Sequence, residues 1–372
     1  MIKTSLLLLV LIMVISCGDS GLVSPPTTLF SELRISPGIE GSTRDVYTFT
    51  VVTSPTNQDF RYQWRLDTNE QYVESPSNIA TIQFPKEGYY FVSVRVMHKG
   101  TIVADNSVTV NIRDSVIIPE LVSLPQGSFL MGSNDAFDAS ELPQRLVSLS
   151  AFSAGKYEIT QKQFLSVMGY NPSWFLGDLQ MPVERVSWYE AIEYCNRLST
   201  RQGFTPVYRR IGDSVVYSRN ANGYRLLTDA EWEYACRASS NTDTYNGDLQ
   251  DPRNFCSSVI PEIEQTMDEI AWYCSNASGK THPVGQKKPN AFGLYDMLGN
   301  ASEWVWDYHD YEYYSKNENI NPIGPTWTPS KMRVVRGGGW EFGTILTRSH
   351  TRVQGFSKSA YYSFGFRIAR NG

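Results

Sequence analysis

Two kinds of hydrophobic periodicity divide the chain. From about Phe30 to Arg113 the apolar positions recur every second residue: Tyr47, Phe49 and Val51 are interleaved with Thr48, Thr50 and Val52. Tyr90, Val92, Val94 and Val96 are interleaved with Phe91, Ser93, Arg95 and Met97, and Val108, Val110 and Ile112 close the series. A period of two marks strands with one buried face. Segments such as Pro55-Thr56-Asn57 and Lys86-Glu87-Gly88 supply the turns. Residues 30–114 are therefore expected to form a small antiparallel β-sandwich with Trp64 in its core.

Beyond Ile117–Leu121, which reads as a linker leading into a strand, the period changes. Thr160 with Gln163, Ser187 with Glu190, and Thr228 with Glu231 each fit the capping box, in which two orphan backbone donors are satisfied reciprocally. After Ser187, the residues Trp188, Ala191, Ile192, Cys195 and Leu198 fall on one face of a helix. After Thr228, Trp232, Ala235 and Cys236 do the same over a shorter length. The remainder is rich in Gly, Asn, Pro and aromatic residues. Residues 119–372 are thus expected to be an α+β domain, two or three helices packed by loop-dominated β structure.

The N-terminus reads as targeting. Lys3 precedes an apolar run from Leu6 to Ile15, too short for the ~20 residues that span a bilayer. Val14-Ile15-Ser16-Cys17 resembles the bacterial lipoprotein signal, which implies that residues 1–16 are removed and Cys17 is lipidated. An ordinary secretory signal with an incidental cysteine is the alternative. Several acyl chains give stable anchoring where one is marginal. Gly18 follows the cysteine in place of the aspartate that resemblance associates with inner-membrane retention, so a lipid anchor in the cell envelope, at an outer membrane, is favoured. Residues 17–29 read as a tether.

Charge and cysteines narrow the function classes. The formal net charge is −5 and Lys and Arg form no stripe, which argues against nucleic acid as a partner. Four cysteines remain after Cys17, and four allow three pairings. Cys195 and Cys236 occupy apolar helix positions, where a small buried hydrophobe is expected. Cys256 with Cys274 is the candidate bridge, the pairing itself remaining open. There is no CxxC with a histidine at ligand spacing, no GxSxG, no Gly-rich phosphate loop and no HExxH.

The motifs carry more. Gly127-Ser128-Phe129-Leu130-Met131-Gly132-Ser133, Tyr157-Glu158-Ile159-Thr160, Pro182 to Trp188 (PVERVSW) and Asn222 to Glu233 (NGYRLLTDAEWE) are followed by GLYDMLGNASEW from Gly293, VVRGGGW ending at Trp340, and GFRIAR ending at Arg370. Over residues 120–370 this series resembles the formylglycine-generating-enzyme (sulfatase-modifying-factor) family. The resemblance implies an elaborated C-type-lectin-like α+β fold rich in ordered loops. The run from Tyr62 to Asp67 with Phe84 to Tyr90 resembles the PKD branch of immunoglobulin-like modules and implies a spacer or docking sandwich. Arg225, Arg336 and Arg367 are expected to clamp loop carbonyls or carboxylates such as Glu231 or Asp296. Trp232, Trp304, Trp306 and, by the narrowest margin, Trp340 are expected in the core rather than on a ligand platform.

The family's catalysts work through a cysteine pair between the last two motifs. That interval, Glu341 to Ser363, has no cysteine; counting from RGGGW, Thr347 and Arg352 stand about where the thiols would be. No copper is expected, because a soft thiolate pair is what holds the monovalent ion. The four histidines, His98, His282, His309 and His350, are scattered, which disfavours an iron site. The segment Asp296 to Glu303 matches one calcium site of the family. The resemblance implies structural calcium held by Asp296 and Glu303 side chains and by the carbonyls of Gly299 and Ala301, and hard cations do take several oxygens.

These readings favour a membrane-anchored, catalytically silent binding or assembly protein of the envelope. Its ligand, a protein, peptide or glycan, would meet Trp340, Phe342, Arg348, His350, Arg352, Gln354, Phe356, Lys358, Tyr361 and Tyr362, a mix of aromatic, cationic and hydrogen-bonding groups suited to recognition. The alternative is an enzyme: a cysteine-to-formylglycine oxidase of sulfatases with relocated thiols, or another oxidase on this scaffold.

Overall fold

The computed structural model describes residues 30–371 apart from 37–39, 42–45, 55–58, 66–70, 87, 113–115, 135–136, 251–255, 257–264 and 317. The signal, Cys17, the tether and the Pro55-Thr56-Asn57 turn lie outside the described residues. The chain divides into two compact units, between Ser115 and Val116.

The first unit is all β. Its strands are β1 (Phe30–Ser36), β2 (Glu40–Gly41), β3 (Tyr47–Ser54), β4 (Phe60–Arg65), β5 (Val73–Ser75), β6 (Ile79–Ile82), β7 (Gly88–His98) and β8 (Thr101–Ile112). They form two sheets, β1-β3-β6 and β2-β8-β7-β4-β5. The alternation in sequence becomes the core: Tyr47, Phe49 and Val51 from one sheet and Val92, Val94, Val96 and Trp64 from the other are buried together. Successive side chains of a strand point to opposite faces, so each sheet has one face to bury and the pair closes as a sandwich.

The second unit holds β9 (Leu121–Leu124), β10 (Gly127–Met131), β11 (Arg145–Leu149), β12 (Phe152–Gly155), α1 (Gln161–Met168), α2 (Trp188–Arg201), β13 (Tyr208–Ile211), β14 (Ser214–Tyr217), β15 (Tyr224–Leu226), α3 (Asp229–Arg237), α4 (Gln265–Asp268), β16 (Ser302–Tyr308), β17 (Met332–Arg336), β18 (Val353–Phe356), β19 (Phe364–Phe366) and β20 (Ile368–Asn371). One four-stranded sheet runs β15-β20-β12-β9 and another β18-β17-β16-β19, the β16–β19 pair being parallel. The three capping boxes form as expected at Thr160, Ser187 and Thr228, with each N-cap hydroxyl and each N3 side chain bonded reciprocally. Trp188, Ala191, Ile192, Cys195 and Leu198 line the buried face of α2, and Trp232, Ala235 and Cys236 that of α3. Trp304 from β16 is fully enclosed and Trp306 nearly so, as the sequence predicts.

One glycine explains how the C-terminal motifs meet. Gly338 has φ +68°, and a Cβ there would lie 2.5 Å from Thr347 Oγ1 and 2.7 Å from the Leu346 carbonyl. Only a residue without a side chain lets the turn after β17 approach the following loop this closely. That approach draws residues 344–352 inward, and the consequence governs the site.

Candidate functional site

Residues 344–352 enter the interior because acids already wait there. Asp229 and Glu233 lie one helical turn apart on the buried side of α3. Arg336 from β17 reaches both: its Nε is 2.8 Å from Asp229 Oδ1, and its Nη2 donates to Glu233 Oε2. Arg352 Nε lies 3.0 Å from Asp229 Oδ2, while its Nη1 donates to the Ser140 carbonyl at 2.7 Å. Arg237 Nε donates to Glu233 Oε1 at 2.8 Å. A buried charge has to be paired and hydrogen-bonded, so these arginines and acids hold each other in place. Beside them, Glu141 Oε2 is 3.7 Å from Arg348 Nη2 and 3.5 Å from His350 Nε2. Burial raises the Glu141 carboxyl to about 7 despite Arg348 and Arg336. Burial, then Arg348, pushes His350 down to about 2, so its imidazole is neutral.

Three of the residues expected to meet a ligand are therefore core residues. Arg348, His350 and Arg352 are 3%, 4% and 4% exposed. The physical reason is the buried acids: Asp229 takes Arg352 as a second cation beside Arg336, and Glu141 lies within 3.7 Å of Arg348 and 3.5 Å of the neutral His350. Thr347 is also fully buried, donating to the Gly343 carbonyl at 2.9 Å. The other seven scatter. Gln354, Phe356 and Lys358 are exposed. Gln354 Nε2 donates to Tyr311 Oη at 3.1 Å, and Lys358 pairs with Asp213 at 2.8 Å beside a cleft of about 410 Å³ lined by Tyr189, Asn196, Tyr208 and Arg210. Tyr361 packs on Phe364 at 4.5 Å. Phe342 is half-buried, and its carbonyl accepts from Cys274 N at 3.1 Å.

Trp340 and Tyr362, both expected to meet a ligand, are joined by a loop that sequence reasoning missed. The loop before α2 presents Trp174, 60% exposed, and Leu176, 68% exposed. Trp174 meets Tyr362 edge-on with centroids 5.3 Å apart, and Phe175 meets Trp340 edge-on at 5.2 Å. Edge-to-face pairs of this kind add stabilisation beyond the area they bury. The loop is fastened from below. Glu184 Oε1 accepts from Phe175 N at 2.9 Å, and Gln161 Nε2 donates to the Phe175 carbonyl at 2.8 Å. Arg185 stacks over both Trp174 and Tyr362, its Cζ 5.8 and 5.3 Å from their centroids. A signal for this face exists in sequence: Trp174-Phe175-Leu176 is an apolar triplet within Asn171-Pro172-Ser173 and Gly177, a turn-forming context that offers no periodic face to bury it.

Hydrogen bonds hold the Asp296–Glu303 turn. Glu303 accepts from Arg367 Nε and Nη2 and from Trp232 Nε1 at 2.7 Å, which fills both carboxylate oxygens. Arg367 also donates to the Gly155 carbonyl at 2.7 Å and the Tyr295 carbonyl at 2.7 Å. Arg367, expected to clamp loop carbonyls or carboxylates, does both, since it also reaches the Asp296 carbonyl at 3.4 Å. Asp296 Oδ2 accepts from Gly285 N at 2.6 Å, leaving only its Oδ1 uncommitted and buried. Glu158 closes the turn, accepting from Asn300 Nδ2 and Ala301 N, each at 2.8 Å. Among the described residues no group of three or more His, Cys, Asp or Glu side chains is gathered to hold a metal. Of the residues expected to hold calcium, Glu303 is engaged by arginine and tryptophan, and Asp296 Oδ1 is the buried side-chain oxygen left without a hydrogen bond.

The cysteines divide as their positions suggest. Cys195 and Cys236 are buried, the latter raised by burial to about 12, and Cys256 is bonded to Cys274. Thiols so far from the thiolate form are poor nucleophiles and metal ligands. Arg225 clamps Glu231 with two bonds, at 2.6 and 2.9 Å, as expected.

A loop-rich α+β scaffold whose three C-terminal motifs lock an ionic core, with an aromatic face beside it, defines the class of formylglycine-generating-enzyme-like domains. Residues 109–372 match the sulfatase-modifying factor enzyme 1-like domain. The chain is 35% identical to the "chaperone protein LppX" of Paenibacillus barcinonensis over 61% of this chain and 80% of that protein. It is 29% identical to the formylglycine-generating enzyme of Bos taurus over 67% of this chain and 74% of the enzyme. The structure of Treponema denticola variable protein 1 is similar with a TM-score of 0.59 and 29% identity, over 68% of this chain and 95% of that one. The chain belongs to the sulfatase-modifying factor enzyme 1-like family.

Proposed function

We propose that this chain is an envelope protein, lipid-anchored at Cys17, whose C-terminal domain binds a protein partner and performs no oxidase chemistry. The observation that carries this reading is the aromatic face of Trp174, Trp340 and Tyr362, built on a loop fastened by Glu184 and Gln161. Rigid exposed aromatics next to a single arginine are the composition of binding hot spots. The likeness to a protein described as a chaperone supports a binding role over a catalytic one. The strip counted to the thiol positions is filled by Thr347 and Arg352, both committed to the interior. The test is capture from envelope extract by the immobilised wild-type chain and by Trp174→Ala. Loss of the captured protein in the variant is expected; undiminished capture would overturn the reading.

The oxidase alternative has one observation in its favour. The Cys256–Cys274 pair lies against Phe342, next to the aromatic face. After mild reduction, titration with monovalent copper decides: one tightly held ion per chain, lost in Cys274→Ser, would reinstate it.

A further inference from the structure

Arg185 is the one feature of the aromatic face that neither packing nor folding accounts for. Its backbone is left-handed, with φ +57°, a conformation uncommon outside glycine and concentrated at ligand clamps and active sites. The strained turn is held by a bond from Arg185 N to the Tyr361 carbonyl at 2.9 Å. Its guanidinium lies over Trp174 and Tyr362 and makes no hydrogen bond or ion pair with any described residue. The arginines of the domain's interior contrast with it: Arg225, Arg237, Arg336, Arg352 and Arg367 all face carboxylates at 3.0 Å or less. Stacking fixes the plane of the guanidinium while leaving its N–H edges open, which is how a fork of donors is prepared for a bidentate acceptor.

We infer that Arg185 receives a carboxylate side chain of the bound partner, so that the face reads an Asp or Glu flanked by apolar residues. This deepens the binding reading above and rests on it. Charge favours a carboxylate over a phosphate. A phosphate group draws several cations, and among the described residues Arg185 is the one cation stacked on Trp174 and Tyr362. A lone stacked guanidinium balances one negative charge. The exposed Trp174, Leu176 and Tyr362 supply the apolar surroundings. Within them a charge-assisted pair is partly shielded from water and correspondingly stronger.

The test is selection of random dodecapeptides displayed on phage against the immobilised chain lacking residues 1–17, in parallel against Arg185→Gln. The expected result is enrichment of an acidic residue beside aromatic or branched aliphatic ones on the wild type, and loss of that acidic preference on the variant. For a selected peptide synthesised with Asp or Asn at that position, the wild type should prefer Asp by about tenfold or more and Arg185→Gln should show no preference. Absence of any acidic enrichment, an acidic preference that survives in Arg185→Gln, or release of bound phage by inorganic phosphate but not by equimolar acetate would each overturn the inference. Capture of a partner lost in Trp174→Ala but intact in Arg185→Gln would sink this inference while leaving the binding reading standing.

Discussion

Arginine stands in opposite environments in two regions of the same domain. In the interior, Arg336 bridges Asp229 and Glu233, two acids that Arg352 and Arg237 also contact. At the aromatic face, Arg185 rests on two rings and forms no ion pair with a described residue, though its charge is felt by Glu184 beside it. The first arrangement is fully enclosed; the second is pre-positioned and open. An arginine's partner set, more than its place in a motif, separates structural from recognition roles. The comparison can be broken at either end, and the interior end should respond most.

Arg336→Met should produce the largest effect. It leaves Asp229 and Glu233 enclosed with one cation each, and breaking a buried pair by removing one partner costs about 3–5 kcal/mol. Urea unfolding of the second unit would show it as a lower midpoint, and Arg336→Met with Glu233→Gln should recover part of the loss. A change under about 1 kcal/mol would mean that the network is solvated and that the contrast with Arg185 is one of degree.

A pH series sharpens the interior side. Burial raises Glu141 and Glu184 to about 7, and burial with Asp229 raises Asp307 to about 8. Folded protein then holds protons that the unfolded chain has released, so stability falls as pH rises from about 5 through about 8. Burial depresses His309 to about 4 and His350 to about 2. The unfolded chain binds those protons first, so stability also falls as pH drops below about 6.5. Where the two limbs overlap, three carboxyls outweigh two histidines, so the optimum is expected at about pH 5 or slightly below. Glu141→Gln removes one titrating group and should flatten the alkaline limb, by up to about 3 kcal/mol at pH 8. An unchanged limb in denaturation curves at pH 6 and pH 8 would show that Glu141 stays charged and paired when folded.

How far the sequence reached follows the same division. Local rules were legible: capping boxes named the starts of α1, α2 and α3, and alternation named the sandwich core around Phe49 and Val94. Both depend on neighbours within a few residues. The roles of Arg348, His350 and Arg352 depended on Glu141 and Asp229, more than a hundred residues upstream. Polar character suggested a surface there, because charge patterning in one segment does not reveal an acid arriving from another. The engagement of Glu303 was hidden for a related reason, since Arg367, just before β20, arrives from far along the chain to bind it. The loop carrying Trp174 has no periodicity, so its exposure became visible only once Tyr362 and Trp340 stood beside it.

The smallest stability effect is the most discriminating. Trp174 is mostly exposed, and among the described residues its ring contacts are with Tyr362 and Arg185. Trp174→Ala should therefore move the unfolding midpoint by no more than about 0.5 kcal/mol, as surface substitutions do, while abolishing capture of the partner. Arg352→Ala should also abolish capture, but by unfolding the domain, since its guanidinium is held by Asp229 and the Ser140 carbonyl. Measuring stability and capture together on both variants separates the two regions. If Trp174→Ala lost stability as severely as Arg352→Ala, the aromatic face would be part of the core's support, and the distinction drawn between the two arginine environments would fall with it.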